Sequence, residues 1–117
     1  MRPDGPSPRW REIWWAQLDP AVGREQSGRR PLLIVSSDRY NLLEAALVAG
    51  IPLTTRPRNW PTHIEVRGSD LGIPRRSFAM VEQTKSMSVE RLHRRIGRAN
   101  IETMDEVSVQ LVELLEL

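Results

Sequence analysis

For most of the chain, apolar and polar residues alternate in short stretches broken by turn residues; a helical period takes over only at the end. Residues 12–18, Glu-Ile-Trp-Trp-Ala-Gln-Leu, are aromatic and β-prone and predict a first strand. Trp14 and Trp15 are adjacent on it and face opposite sides, so one is expected in the core and the other at a subunit interface or ligand surface. Asp19-Pro20 then signals a turn. Residues 31–37 predict a buried second strand, because Leu32, Leu33, Ile34 and Val35 are all apolar. Residues 38–43 suit a short helical turn capped by Ser37 or Asp38. A third strand is expected over 46–54. Pro52 within it lacks an N–H, which places that strand at an edge or gives it a bulge.

Residues 62–66 alternate as a strand carrying His63, and 68–74 form a turn region. Residues 77–86 predict a strand or pair of strands, with Phe78, Met80 and Val81 available to the core. One helical turn over 88–91 and a last strand over 92–96, ended by Gly97, follow. At 100° per residue from Ile101, the residues Met104, Val107, Leu111, Val112, Leu114 and Leu115 fall within an arc of about 160°, with Glu102, Glu106 and Glu113 opposite. Asn100 is the expected N-cap, and Glu102 sits in the positive field of the first turn. The apolar stripe is expected to cover the sheet; the alternative is a partner surface. Short strands and one terminal amphipathic helix indicate a mainly β fold with α, a small β-barrel or strongly bent sheet with helices packed on it.

Length changes little in this picture: 117 residues suit one domain and one core. The proline-rich start, Met1 to Pro8, reads as disordered, so we divide the chain into a lead-in over 1–9 and a single domain over 10–117. There is no cysteine, hence no disulfide, thiolate metal site or Cys nucleophile, and a reducing compartment is the natural home. With no apolar run of membrane-spanning length and no apolar leader near the start, a soluble, cytoplasmic protein with no membrane partner is expected.

Charge changes it more. The net charge is only +2, but sixteen of the seventeen basic residues are arginine, Lys85 being the lysine. Arginine grips phosphate as a planar fork and stacks on bases. The mix suits a nucleic-acid partner, and an Arg-favouring genome would give the same mix. Acids gather late, at Glu102, Asp105, Glu106, Glu113 and Glu116, leaving the remainder more basic than the total.

Two polar stretches are candidates for chemistry. Residues 23–31 run Gly-Arg-Glu-Gln-Ser-Gly-Arg-Arg-Pro directly before the apolar strand, a mobile loop pinned to a rigid element. A solvated hairpin loop is the plainer reading. Residues 55–61 place Arg56, Arg58 and Trp60 between prolines; such interleaving tracks a phosphate backbone and stacks a base, or forms a plain solvated loop. Paired histidines are the usual acid and base of metal-free ribonuclease chemistry, but His63 and His93 are read as surface strand residues. Without carboxylates at zinc-site spacing, no metal and no cofactor are expected.

The order of several short pieces resembles the MazF/PemK (Kid-like) toxins of type II toxin–antitoxin systems, the mRNA interferases. These pieces are Glu-Ile-Trp, Leu18-Asp19-Pro20, Val22-Gly23 with Glu25-Gln26 and Gly28, Arg30-Pro31 and the strand ending Ser36-Ser37-Asp38. Further on come Pro52-Leu53-Thr54, Pro61-Thr62-His63, Glu82-Gln83, Arg91-Leu92 and Ile96-Gly97. The resemblance spans about Glu12 to Leu117. It implies an SH3-like small β-barrel with a C-terminal helix, a homodimer, and sequence-selective cleavage of single-stranded RNA without a metal. Messenger RNA is the implied substrate, with transfer and ribosomal RNA left open. It also implies a cognate antitoxin whose acidic, disordered tail blocks the substrate groove. Two departures stand out: Arg11 replaces the family's usual glycine, and Arg24 replaces a small residue before Glu25.

The family's key arginine falls on Arg30 and its key threonine on Thr54. Cleavage of this kind uses the adjacent 2′-hydroxyl and needs one proton removed, charge on the phosphoryl oxygens steadied, and the leaving oxygen protonated. A guanidinium stays protonated, so Arg30 suits the charge role, with proton donation late in the step as an addition. Thr54 can donate to the same phosphate, and Glu25 is the candidate general base. Arg24, Arg29, Arg56 and Arg58 are candidates for phosphate contacts, with Thr55 beside them in the second loop. Gln26, Glu82 and Gln83 carry donors and acceptors for reading base edges. Two other functions compete: a non-catalytic gyrase poison resembling CcdB on the same barrel, and a cleavage-dead barrel that only regulates its operon with the antitoxin. CcdB-like chains end on an essential tryptophan; this sequence ends Leu-Glu-Leu, which favours the nuclease.

Overall fold

The structure, a computed structural model, describes residues 7–18, 28–43 and 46–117. Its elements are β1 (Glu12–Gln17), β2 (Arg29–Ile34), α1 (Asp38–Asn41), β3 (Leu47–Thr54), β4 (His63–Glu65), β5 (Phe78–Met80), β6 (Lys85–Ser88), β7 (Leu92–Arg98) and α2 (Ile101–Leu115). Short 3-10 turns at Val81–Gln83 and Val89–Arg91 flank β6. The strands form one antiparallel sheet in the order β4-β5-β3-β2-β1-β7, with β6 beside the first half of β3. This is the mainly β class with a terminal helix that the sequence predicts. The sheet is not closed into a barrel, because among the described residues no ladder joins β4 to β7.

The all-apolar run in β2 follows from burial on both faces. Ile13, Leu33, Ile51, Leu53, Ile64 and Ala79 form one core with Met104 and Val107 of α2. Trp14, Ala16, Leu32, Ile34, Val48, Met87 and Leu92 form the other. Alternation along each strand sends neighbours to opposite cores. Trp14 is thus interior, while Trp15 is half-buried at a cavity described below.

Several boundaries differ from the sequence reading. β3 is the central strand, not an edge. The Val35 amide donates to the Ala49 carbonyl, so alternate pairs exchange ladder bonds and the Leu32–Pro52 pair does not. The Pro52 nitrogen therefore points away from β2, into the gap where the ladder passes from β6 at Gly50 to β5 at Leu53. Ala46 has φ +56° and precedes the strand. Residues 77–86 divide into β5, a 3-10 turn and the start of β6; Met80 and Val81 are buried, but Phe78 is half-buried beneath the Arg76 guanidinium, 5.2 Å from its ring. β7 continues through Gly97 to Arg98. A Cβ at Gly97 would lie 1.8 Å from the Leu71 carbonyl oxygen, so this glycine admits the 70–72 segment against the strand and does not end it.

Asn100 caps α2 as expected, accepting from the Thr103 amide at 2.9 Å. Only the first half of the stripe covers the sheet: Met104 and Val107 are buried and Leu111 packs beside them, whereas Val112, Leu114 and Leu115 are exposed. The helix is roughly 22 Å long at 1.5 Å per residue, and its last turns carry the exposed part of the stripe. At the other end, residues 1–6 of the expected lead-in lie outside the described residues. Pro8 is buried, and Arg9 forms an ion pair with Asp38 at 3.2 Å.

Candidate active site

Gly28, at φ +80°, turns the chain into β2, and its carbonyl accepts from the Leu18 amide at 2.8 Å. Arg29 and Arg30 then pair with Gln17 and Ala16 at the end of β1. The β2–β3 register matches Leu32 with Pro52; two residues on, Arg30 and Thr54 stand at the same level of neighbouring strands. These strand ends bound a cavity of about 240 Å³, lined by Trp15, Gly28, Arg29, Arg30, Pro31, Leu53, Thr54, Thr55 and Ser77. Two guanidinium-bearing residues and three hydroxyl-bearing ones share it, and no carboxylate is among the described lining residues. The buried Thr54 hydroxyl accepts the Arg56 amide at 3.2 Å, which orients its oxygen and leaves its hydrogen to donate. Such a lining suits a bound oxyanion.

The structure gathers Arg29, Arg30, Thr54 and Thr55 of the sequence candidates in this way. Arg56 and Arg58 are exposed on the following loop and do not line the cavity. Arg24, Glu25 and Gln26 lie outside the described residues, as does the Asp19-Pro20 turn. Sequence reasoning missed Ser77. No motif marks it, and only the pairing of Phe78 with Thr54 brings it near.

Glu82 and Gln83 sit on the 3-10 turn after β5. Glu82 is committed to an internal network: one carboxylate oxygen accepts the Thr62 hydroxyl at 2.8 Å, and the other lies 2.9 Å from His63 Nε2. Burial pushes this carboxyl up, but hydrogen bonds from His63, its own amide and Thr62, with the charge of His63, outweigh it and hold the group below the usual carboxylate range. His63 is therefore not a surface histidine. Its side chain is 2% exposed, between Glu82 and the Trp60 ring, and its Nδ1 is buried without a partner. His93 is exposed, as read from the sequence.

A second cavity, of about 410 Å³, lies at the opposite end of β1. Arg11 and Arg98 face Asp70 and Glu102 there, so its charge is mixed. Among the described residues no three His, Asp or Glu side chains gather as metal ligands.

An open antiparallel sheet with a capping terminal helix, and a cavity at its strand ends whose described lining carries arginines and hydroxyls, defines a small β protein suited to hold a phosphodiester. Over residues 9–115 the chain matches the family described as PemK-like, MazF-like toxin of type II toxin-antitoxin system, and it belongs to that family. It is 34% identical over 101 residues to Endoribonuclease EndoA of Bacillus subtilis, covering 86% of this chain and 87% of the relative. Among solved structures, MazF from Deinococcus radiodurans superposes with a TM-score of 0.83 at 25% identity, over 96% of this chain and 99% of that one. The MazE-MazF structure from the same organism gives 0.77 at 25% identity, over 96% and 98%.

Proposed function

We propose that this chain is the toxin of a type II toxin–antitoxin pair and acts as a metal-independent endoribonuclease on single-stranded RNA. The observation that carries the reading is the placement of Arg30 and Thr54 on one cavity with Arg29. In the proposed step the 2′-oxygen attacks the adjoining phosphorus and the bond to the 5′-oxygen breaks. The products are a 2′,3′-cyclic phosphate and a 5′-hydroxyl. Arg30 and the Thr54 hydroxyl donate to the phosphoryl oxygens as charge builds on them, the kind of preorganised donation worth about 10²–10³ in rate per donor. The 2′-proton passes to a general base, for which Glu25 remains the candidate, and the leaving oxygen takes up a proton. Arg29, Arg56 and Arg58 hold flanking phosphates.

Names of relatives support the activity, since the Bacillus subtilis protein is called an endoribonuclease. The MazE-MazF structure supports a cognate antitoxin as partner, here with an acidic tail matched to the basic cavity. A gyrase-poisoning role is not favoured. We further read the protein as a cytoplasmic homodimer. No helix among the described residues is long and apolar enough to cross a membrane, and the exposed apolar end of α2 offers surface for a second copy.

The test is incubation of the purified protein with a long RNA in EDTA, followed by mapping of cut ends. Discrete 5′-hydroxyl ends are expected, with Arg30→Ala and Thr54→Val each slowing the single-turnover rate about 10²-fold or more. Cleavage that needs added metal, or that survives Arg30→Ala unchanged, overturns the assignment.

A further inference from the structure

The 55–62 connection leaves β3 at Thr54, crosses β5 and reaches β4 two strands away, about 10 Å at ordinary strand spacing. Residues 55–61 are exposed, yet Trp60 is firmly seated. Its carbonyl accepts the His63 amide at 3.0 Å, closing a turn. Its indole packs on the His63 imidazole with ring centroids 4.9 Å apart, and that imidazole is fixed by Glu82, which Thr62 holds in turn. On the indole lies the Arg58 guanidinium, 5.3 Å from the ring. Trp60 remains 49% exposed and belongs to neither core. A buried histidine, braced by the half-buried Glu82 carboxylate and lying beneath an aromatic that belongs to no core, indicates that the ring itself is what is being positioned.

We propose that Trp60 is a base-stacking platform at the edge of the RNA site, with Arg58 as its exchangeable cover. An unpaired base of the substrate replaces the guanidinium on the indole, and the guanidinium moves to an adjoining phosphate. This rests on the endoribonuclease reading above and adds a subsite to it. The direction of exchange follows from relative strengths. An exposed cation–π contact is weak, base–indole stacking is stronger, and the displaced guanidinium regains a charged partner on phosphate. Every base has a π face, so Trp60 contributes affinity and register, and base identity is read elsewhere. His63, Glu82 and Thr62 are positioning residues: they hold the ring and do not touch RNA.

The experiment compares wild type, Trp60→Ala, Trp60→Phe and Arg58→Ala on a long RNA under steady-state conditions. It also follows tryptophan fluorescence with a pool of randomised 2′-O-methyl oligoribonucleotides, which lack the attacking hydroxyl. Trp60→Ala is expected to lower kcat/KM by about 5- to 150-fold, carried by KM. Trp60→Phe, which keeps an aromatic face, recovers most of that loss, and Arg58→Ala flattens the salt dependence. The oligonucleotides quench wild-type fluorescence and quench Trp60→Phe distinctly less. Equal kcat/KM for wild type and Trp60→Ala, or equal quenching with and without Trp60, overturns the platform while leaving the nuclease standing. A wild type that cuts no RNA overturns the nuclease reading, and the quenching difference then decides the platform separately. Should Trp60→Ala fail to fold, Trp60→Phe and Arg58→Ala decide it by the same readouts.

Discussion

Arg11 has φ +77°, in the left-handed region where an L side chain crowds its own backbone. The sequence resemblance implies glycine at this position, and the positive φ gives that expectation a conformational ground. The strain persists because both backbone groups are tied down: the Arg11 amide donates to the Ile34 carbonyl at 3.0 Å, and its carbonyl accepts the Ala99 amide at 2.9 Å. Its side chain lies 5.8 Å from the Trp10 ring centroid and lines the cavity that also holds Asp70 and Glu102. Arg11→Gly is therefore expected to raise stability by about 0.5–1 kcal/mol, part of the relieved strain being offset by the freer unfolded chain. A lower urea midpoint for the variant would show that side-chain contacts outweigh the backbone. At this scale the residue types of the candidate site were legible: Arg30 and Thr54 are a guanidinium and a hydroxyl, and the structure sets both on one cavity. His63 was not, because nothing local distinguishes a histidine on an exposed strand from one pressed between Glu82 and Trp60.

That network joins elements, for Thr62 precedes β4 and His63 opens it, while Glu82 lies on the turn after β5. Its pH dependence follows from the lowered Glu82 carboxyl. A group held below its ordinary value of 4.5 contributes stability that is fully present above that value and is lost as pH falls through the folded-state value. Wild type should thus exceed Glu82→Gln in thermal midpoint at pH 6–7, and the difference should shrink to nothing as acid protonates the carboxylate. A difference that stays constant through the whole acid range in which the protein remains folded would mean the ionised form is not what matters. Element types were readable from local pattern, and element neighbours were not. Pro52 argued for an edge because a proline cannot donate, yet β3 is central; the missing donor falls where the strand changes partners.

Over the whole molecule, charge is sorted by the fold. The acids of the C-terminal segment ride on α2, while Arg29 and Arg30 line the cavity and Arg56 and Arg58 follow on the next loop. A net charge of +2 conceals this separation. RNA affinity should fall steeply with salt, and Arg56→Ala should reduce the slope of log K against log[salt] by about 0.7, the single-strand value for one phosphate contact. Weaker binding at an unchanged slope would place Arg56 away from the phosphates. The apolar end of α2 is likewise a property of the whole. The stripe is continuous in sequence, but only Met104, Val107 and Leu111 of it join the core, and Val112, Leu114 and Leu115 are exposed.

By itself the sequence determined the kinds of element, the capped terminal helix, the apolar faces and the chemical repertoire, because backbone propensity, side-chain period and side-chain chemistry are local. Its motif order also carried the family. Only the tertiary structure decided that Arg30 and Thr54 share a cavity with Ser77, that His63 is internal, that β3 is central and that the sheet stays open. Those outcomes depend on strand register and on which surfaces meet, and both are set by contacts between residues far apart in the chain.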